Sequence, residues 1–477
     1  MQTKELEELV RTIRRQKAEG QTVEVKAAHD GCPQRLYDTL SSFSNQDSGG
    51  TIVFGLDERA DFSLVGVYDL QDLQKNVMEQ CNQMEPPVRA VFTSAEIDGA
   101  AVCSAEIPGL DFSQRPCYYK GKGSTKGSYI RVGDGDLLMT DYELYSFEAF
   151  RKHLHDDERP VERASMDTLD EDQIQDYLRQ KRLERPGFAR LPEEQALEML
   201  NVTREGKPTL AAVMNFCVYP QGYFPQLAIT AVVVPGLEMG EQEPDDPRFL
   251  DNKRIEGTIK TMVEEAIGFC RRNMKVRTII DQETGLRKDR TEYPITAIRE
   301  AVLNALIHRD YSYLTEGTPV QILFFSNRLE IHSPGSLYGR MTVEQLGYAR
   351  PDLRNPALAV MTEVLVGAEN RYSGIPTIRR EMKAYQLPEP VFENRRNEFV
   401  VTMYNTPVQE QTFQPAGTLL DFCQVPRSRK EIAQYLGLKT VAYAMERYIS
   451  PLLQRGELEM TNPDKPKSTH QKYRTVK

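Results

Sequence analysis

The chain has 477 residues, 40% of them hydrophobic and 27% charged, the balance of a soluble globular protein with room for about two to four domains. No apolar run approaches the roughly 20 residues that cross a bilayer, and the charged opening MQTKELEELVRTIRRQ lacks the apolar stretch of a signal peptide, so a cytoplasmic protein is expected. Seven scattered cysteines without CxxC spacing exclude a disulfide framework and a zinc site, leaving any metal to oxygen ligands.

Along the chain, Leu6, Leu9, Val10 and Ile13 recur at helical spacing, and QTVEVKA then alternates like a strand. A helical stretch through Leu36, Leu40 and Phe43 leads into NQDSGGTIVFGLDE, a turn feeding a buried strand. Here Gly49-Gly50 reads as a tight turn. Strand-like runs follow at AVCSAEIPG and SYIRVGDGD, the latter with Arg131 expected on the surface. Residues 1–150 therefore read as one α+β domain. The polar stretch 151–170 reads as a linker, followed by helices over 171–202 and a strand pair at NFCVYP and QLAITAVVVPG. IEGTIKTMVEEAIGFCRRNM is an amphipathic helix, and PVQILFFSNRLEIHSPG a hairpin about Ser-Asn-Arg. A Pro, Gln and Thr-rich second linker at 406–418 separates a compact tail, 419–477, from the central domain, 171–405.

The segment REAVLNALIHRD is a helix that is apolar almost all round, yet Glu300, Asn304 and His308 share one face at a spacing of four. Burying them is costly unless protein, a metal or a ligand satisfies them. Beside a nucleotide, Asn304 offers a hard oxygen to Mg²⁺, and Glu300 could orient or deprotonate a water. His308 and Asp310 would support the rim. The alternative is a helix whose polar groups are satisfied within the protein.

YPITAIREAVLNALIHRDYS, RLEIHSPGSL, RNPALA and AENRYSGIPTIRREM occur in that order over roughly residues 170–405. Together they resemble the GHKL-type (Bergerat-like) ATP-binding α/β sandwich of RecG-related predicted transcriptional regulators. The resemblance implies ATP and Mg²⁺ as cofactors, with Glu300 as the catalytic acid and Asn304 as the metal-binding amide. It places Ser333 and Gly335 at an adenine-contacting glycine motif, and Ser373 and Gly374 at the later phosphate loop. Two positions depart from the pattern. Ser333 stands where an aspartate would accept the base amino proton, and Tyr372 where a glycine would let backbone approach phosphate. The resemblance thus speaks for binding more than for turnover. A scaffold without nucleotide is the alternative.

EGQTVEVKAA, LYDTLSSFSNQDSGGTIVFGLDE and GSYIRVGDGD resemble the Schlafen-type AlbA-like domain over about residues 15–140. Nucleic-acid-processing members use three carboxylates, and the matching positions are Glu19, Glu24 and Asp57, with Lys26 nearby. Such a cluster could hold a divalent metal that activates water against a phosphodiester, the alternative reading of the chain as a nuclease.

The tail from residue 408 carries 11 Lys and Arg against 7 Asp and Glu, a +4 segment in a chain of net charge −10. A short helix from Arg429 to Leu436, a Gly437 cap, a second helix from about Thr440 to Arg455 and a basic hairpin make the grammar of a winged helix-turn-helix. Lys439, Thr440, Tyr443 and Arg447 would face DNA from the second helix. Arg427, Arg429, Lys430 and the wing residues Lys465, Lys467 and Lys472 would contact phosphate. The whole is expected to be an α+β multidomain, DNA-binding transcriptional regulator, a homodimer by resemblance and with no membrane partner.

Overall fold

The computed structural model describes residues 1–240, 248–280, 287–367, 374–406 and 419–435, and beyond these 445, 449, 452–453, 455–461 and 472–476. The chain divides into two compact units, Met1–Met403 and Tyr404–Lys477. Among the described residues no helix is long and apolar enough to cross a membrane.

In the first unit, helix α1 (Thr3–Gln16) buries Leu6, Val10 and Ile13 on one face, and Lys17 in the left-handed conformation ends it. Strands β1 (Val23–Lys26) and β2 (Gly50–Phe54) pair in parallel. Helices α2 (Tyr37–Ser44) and α3 (Leu70–Asn82) and strands β3 (Val91–Ile97) and β4 (Ala100–Ile107) complete a sheet of order β1-β2-β4-β3. Side chains alternate across it. Val53 and Val102 join the α1 face, while Ile52, Phe54, Cys103 and Ala105 pack with Leu40, Phe43, Leu73 and Val77 of α2 and α3. A hairpin of β5 (Tyr129–Val132) and β6 (Gly135–Leu138) follows. Helix α4 (Asp141–Lys152) then opens with a Thr140–Glu143 capping box.

The stretch 151–170 is not a solvated linker. Asp157 is fully buried and accepts the Leu358 N–H at 2.8 Å, while Val161, Ala164 and Leu169 lie in the large central core. Helices α5 (Glu171–Glu184), α6 (Glu193–Met199) and α7 (Leu210–Phe216) follow. The strand expected at NFCVYP does not form: α7 takes Asn215 and Phe216, Cys217 makes only an isolated bridge to Leu169, and a 3-10 turn starts at Pro220. The α7 sequence LAAVMNF is buried at every position, so it carries no period by which helix and strand could be told apart.

A six-stranded sheet forms the centre, from β7 (Ile229–Val233), β8 (Asp251–Ile255), β9 (Val320–Phe324), β10 (Arg328–Pro334), β11 (Val391–Arg395) and β12 (Glu398–Tyr404), in the order β8-β7-β9-β10-β12-β11. β7 runs parallel to β9, and β9 and β10 form the expected hairpin. Ile229, Ala231, Ile322 and Phe324 face the main core, while Val232, Val234, Leu323 and Phe325 make a smaller cluster on the opposite face. Helices α8 (Ile259–Asn273), α9 (Ile295–His308), α10 (Pro356–Val366) and α11 (Gly374–Ala384) supply apolar residues to that main core.

In the second unit, a short helix α12 (Leu419–Phe422), strand β13 (Arg427–Ser428) and helix α13 (Arg429–Tyr435) precede strands β14 (Leu458–Met460) and β15 (Lys472–Thr475). The strands form a sheet of order β13-β15-β14 around Cys423, Ile432, Ile449, Leu458 and Tyr473.

Candidate functional site

Helix α9 buries Ala297, Ile298, Ala301, Val302, Leu303 and Ala305, while Glu300, Asn304 and His308 stay open along one line. Asn304 and His308 of that line border a cavity of about 240 Å³, whose walls come from α9, the end of β10, the segment 335–354, α10, the start of α11 and β12. Ile331, Leu337, Met341, Phe399 and Val401 make it largely apolar.

At one end, Gly374 opens α11 directly against α9. A Cβ there would lie 2.8 Å from Asn304 Nδ2 and 3.3 Å from Glu300 Oε2, so a side chain would displace one of them. Neither Glu300 nor Asn304 has a hydrogen-bond partner among the described residues. Burial raises the Glu300 carboxyl above its ordinary pKa, against the opposing pull of Arg299. Ser373 and Tyr372 lie outside the described residues.

At the other end, Ser333 is buried and donates its hydroxyl proton to the Ala305 carbonyl at 2.8 Å. The hydroxyl keeps only acceptor capacity, the same polarity as the aspartate it replaces. Gly335 has φ +103°, and a Cβ there would meet Arg354 Nη1 at 2.3 Å and Asp310 Cβ at 2.6 Å. His308 is exposed where it borders the cavity, and desolvation by the surrounding protein, with Arg354 adding to it, lowers the imidazole pKa to about 4, so it is neutral at neutral pH.

The motif RNPALA now has a local explanation. Arg354 lies 3.2 Å from Asp310, both buried, and donates to the Ser336 carbonyl at 2.8 Å. Burial alone would raise the Asp310 carboxyl, but Arg354, Ser312 and Thr315 outweigh it and hold it low. Asn355 donates to the Ile307 and Arg309 carbonyls at 2.7 and 2.8 Å, closing the end of α9, and Pro356 starts α10. Arg354 and Asn355 carry no chemical signature in sequence beyond the motif itself.

The N-terminal carboxylates are arranged differently from expectation. Glu24 lies 2.9 Å from Arg131 and also pairs with Lys26, and Glu19 accepts the Val25 N–H at 2.7 Å and lies 3.9 Å from Arg131. The third acid at Arg131 is Asp136, at 2.9 Å, which also accepts the Ser42 and Thr39 hydroxyls. Asp57 is not part of it, since its carboxylate caps the turn Glu58–Ala60 through the Arg59 N–H at 3.0 Å. Arg131 is buried beneath the acids, 5.1 Å from the Phe43 ring, not on the surface. Burial, then Glu24, pushes Glu19 up to about 7. Among the described residues no group of three or more His, Cys, Asp or Glu has the geometry to hold a metal.

In the second unit, Arg427 lies 3.6 Å from Glu431 and 4.5 Å from the Phe422 ring centre, and Arg429 donates to the Tyr473 hydroxyl at 3.0 Å. Both are engaged inside the unit. Lys472 is exposed on β15. Lys439, Thr440, Tyr443, Arg447, Lys465 and Lys467 lie outside the described residues, as does the side chain of Lys430.

Three segments match known families. Residues 317–403 match the family described as "Putative ATP-dependent DNA helicase recG C-terminal". Residues 19–140 match "Schlafen, AlbA_2", and residues 416–475 match "Filamentation induced by cAMP protein Fic-like, C-terminal domain". The chain is therefore a mixed α+β multidomain protein with Schlafen AlbA_2-like and RecG C-terminal ATPase-like segments. The crystal structure of the DIP2311 protein from Corynebacterium diphtheriae is 19% identical over 95% of this chain and 93% of its own, with a TM-score of 0.40. The solution structure of the N-terminal domain of a "Putative ATP-dependent DNA Helicase RecG-related Protein" from Nitrosomonas europaea is 21% identical over 28% of this chain and 93% of its own, with a TM-score of 0.24. No match is found among curated proteins.

Proposed function

We propose that this protein is a DNA-binding regulator that senses a nucleotide, with ATP and Mg²⁺ in the pocket beside α9 and DNA at the C-terminal unit. The observation that carries the nucleotide reading is the pair Glu300 and Asn304, without partners in the described structure, facing Gly374 at the edge of an apolar cavity. Those residues fit the group, because the glycine lets the N-terminus of α11, with its backbone N–H groups, come close to the amide of α9, and that amide offers a hard oxygen. Bound Mg²⁺ supplies neutralisation of phosphate charge. Asn304 presents its Oδ1 as a ligand, and Glu300, with its raised pKa, can take a proton from a water at Oε2. Ser333 offers an acceptor to the amino group of the base, and Gly335 keeps its own backbone clear.

The +4 C-terminal segment supports a winged helix that holds DNA through phosphate contacts, and a homodimer would offer two copies to a two-fold site. The Schlafen-type domain supplies a second nucleic-acid or ligand contact. Calorimetry with millimolar Mg-ATP on the wild type and Asn304→Ala tests the first part. Heat that is lost in the variant supports it, and no heat from the wild type overturns it. Deleting residues 415–477 tests the second. It should abolish salt-sensitive DNA binding, and unchanged binding refutes the assignment. The nuclease reading gains no support from Asp57, which stands apart from Glu19 and Glu24. Mg²⁺- or Mn²⁺-dependent cleavage of RNA or single-stranded DNA that Glu24→Ala abolishes would restore it.

A further inference from the structure

The segment 335–341 walls the end of the cavity away from Gly374, and its support comes from outside the central domain. Tyr142, buried on α4, accepts the Ser336 N–H at 3.0 Å through its hydroxyl oxygen. Ser336 is also the residue whose carbonyl Arg354 holds. Next on α4, Glu143 grips Arg396 with two bonds of 2.9 Å, a bidentate pair, and Arg396 reaches back to the Leu138 carbonyl at 3.2 Å. Arg396 sits in the β11–β12 turn, where Asn397 accepts the Gly335 N–H at 2.9 Å. Two turns further along α4, Phe150 meets the Tyr338 ring edge-on at 5.5 Å. A Cβ at Gly339, where φ is +68°, would lie 2.7 Å from Phe150 Cε2, so the segment lies directly on that ring. On its other side Phe150 meets Phe112 at 5.0 Å, in the turn after β4 of the N-terminal domain. Arg340 closes the same seam 3.5 Å from Asp111.

Ser336, Leu337, Tyr338 and Met341 all border the cavity. The wall that would lie against the base is thus hydrogen-bonded, ion-paired and stacked onto α4 and the turn at 111–114. We infer that the nucleotide site is built by two domains, with Tyr142 and Phe150 of α4 as positioning residues for the wall 335–341. The inference rests on the nucleotide reading above and adds its regulation. A ligand that fixes this wall fixes the seam with the N-terminal domain, and by reciprocity whatever the N-terminal domain binds changes affinity for the nucleotide.

The test uses the full chain and Mg-ATP. Tyr142→Phe keeps the ring and removes the one oxygen that holds the Ser336 N–H. It should weaken Mg-ATP binding about 3- to 10-fold, the worth of one buried hydrogen bond. Tyr145→Phe is the control. It removes a half-buried hydroxyl from the same helix, one bonded to Asp156 at 2.8 Å and not to the pocket wall, and should leave affinity unchanged. Mg-ATP should also slow amide exchange across residues 110–115 and 139–152 in the wild type and less so in Tyr142→Phe. Equal affinities for Tyr142→Phe and wild type, equal weakening by both substitutions, or an unchanged exchange rate at 139–152 overturns the inference while leaving nucleotide binding intact. Failure of the wild type to bind Mg-ATP overturns the nucleotide reading and this inference with it.

Discussion

Gly374 and Asn304 approach so closely that a single methyl group between them would sit 2.8 Å from the Asn304 amide nitrogen. The first turn of α11 and the middle of α9 are therefore fitted to one another at Asn304 and Glu300, two polar residues of the α9 stripe without a hydrogen-bond partner among the described residues. Gly374→Ala should raise the dissociation constant for Mg-ATP about tenfold or more, by displacing Asn304 or Glu300. The backbone here is helical, so thermal stability should hold, and calorimetry beside a melting curve separates the two effects. Wild-type affinity in this variant would remove Gly374 from the site.

His308 predicts a pH dependence with a definite sign. Its imidazole titrates near 4 in the folded protein and near 6.5 when solvated, so between those values the unfolded chain binds a proton that the folded one does not. Stability should rise with pH across that window. His308→Asn should flatten the slope, measured by urea unfolding at pH 4.5, 5.5 and 6.5. An unchanged slope would show that the ring is solvated.

The pair Asp310 and Arg354 is buried on both sides, with side chains 4% and 6% exposed. Arg354→Met should cost about 3–5 kcal/mol, because it strands the Asp310 carboxylate without its cation. Adding Asp310→Asn should recover much of that loss. Urea unfolding of wild type, single and double variants checks both statements, and equal losses in single and double variants would contradict them.

Arg131 should behave in the same way in the N-terminal domain, with three acids depending on it. Arg131→Met leaves Glu19, Glu24 and Asp136 clustered without a central cation, at a cost of about 3–5 kcal/mol near neutral pH. Removing the cation raises the folded-state pKa of these acids, so they take up protons and the deficit should shrink as pH falls towards 5. Thermal melts at pH 8 and pH 5 give the comparison. A deficit that does not change with pH would mean the acids are held by something other than Arg131.

The stripe on α9 could be read from the chain because a spacing of four is a local property of a helix. The β9–β10 hairpin could be read because its turn residues and alternation are equally local. Buried cations were a different matter. Arg131 meets Glu24, and Arg354 meets Asp310, across separations that no periodicity encodes, so a strand arginine looked like a surface one. Asp57 was misplaced for a related reason: an acid at a strand end has a near neighbour, the Arg59 N–H, that competes with any distant cluster. At α7, a run of seven buried residues offered no polar face to reveal its period.

The stretch 151–170 looks dispensable by composition, yet Val161, Ala164 and Leu169 lie in the central core and Asp157 holds the first turn of α10. An exchange of the N-terminal domain between related chains therefore could not break cleanly within it. The recombination point would have to fall before α4, and even there it would cut the contacts of Phe112 with Phe150 and of Asp111 with Arg340. The two domains have reason to be inherited together, as one evolutionary unit with two folds.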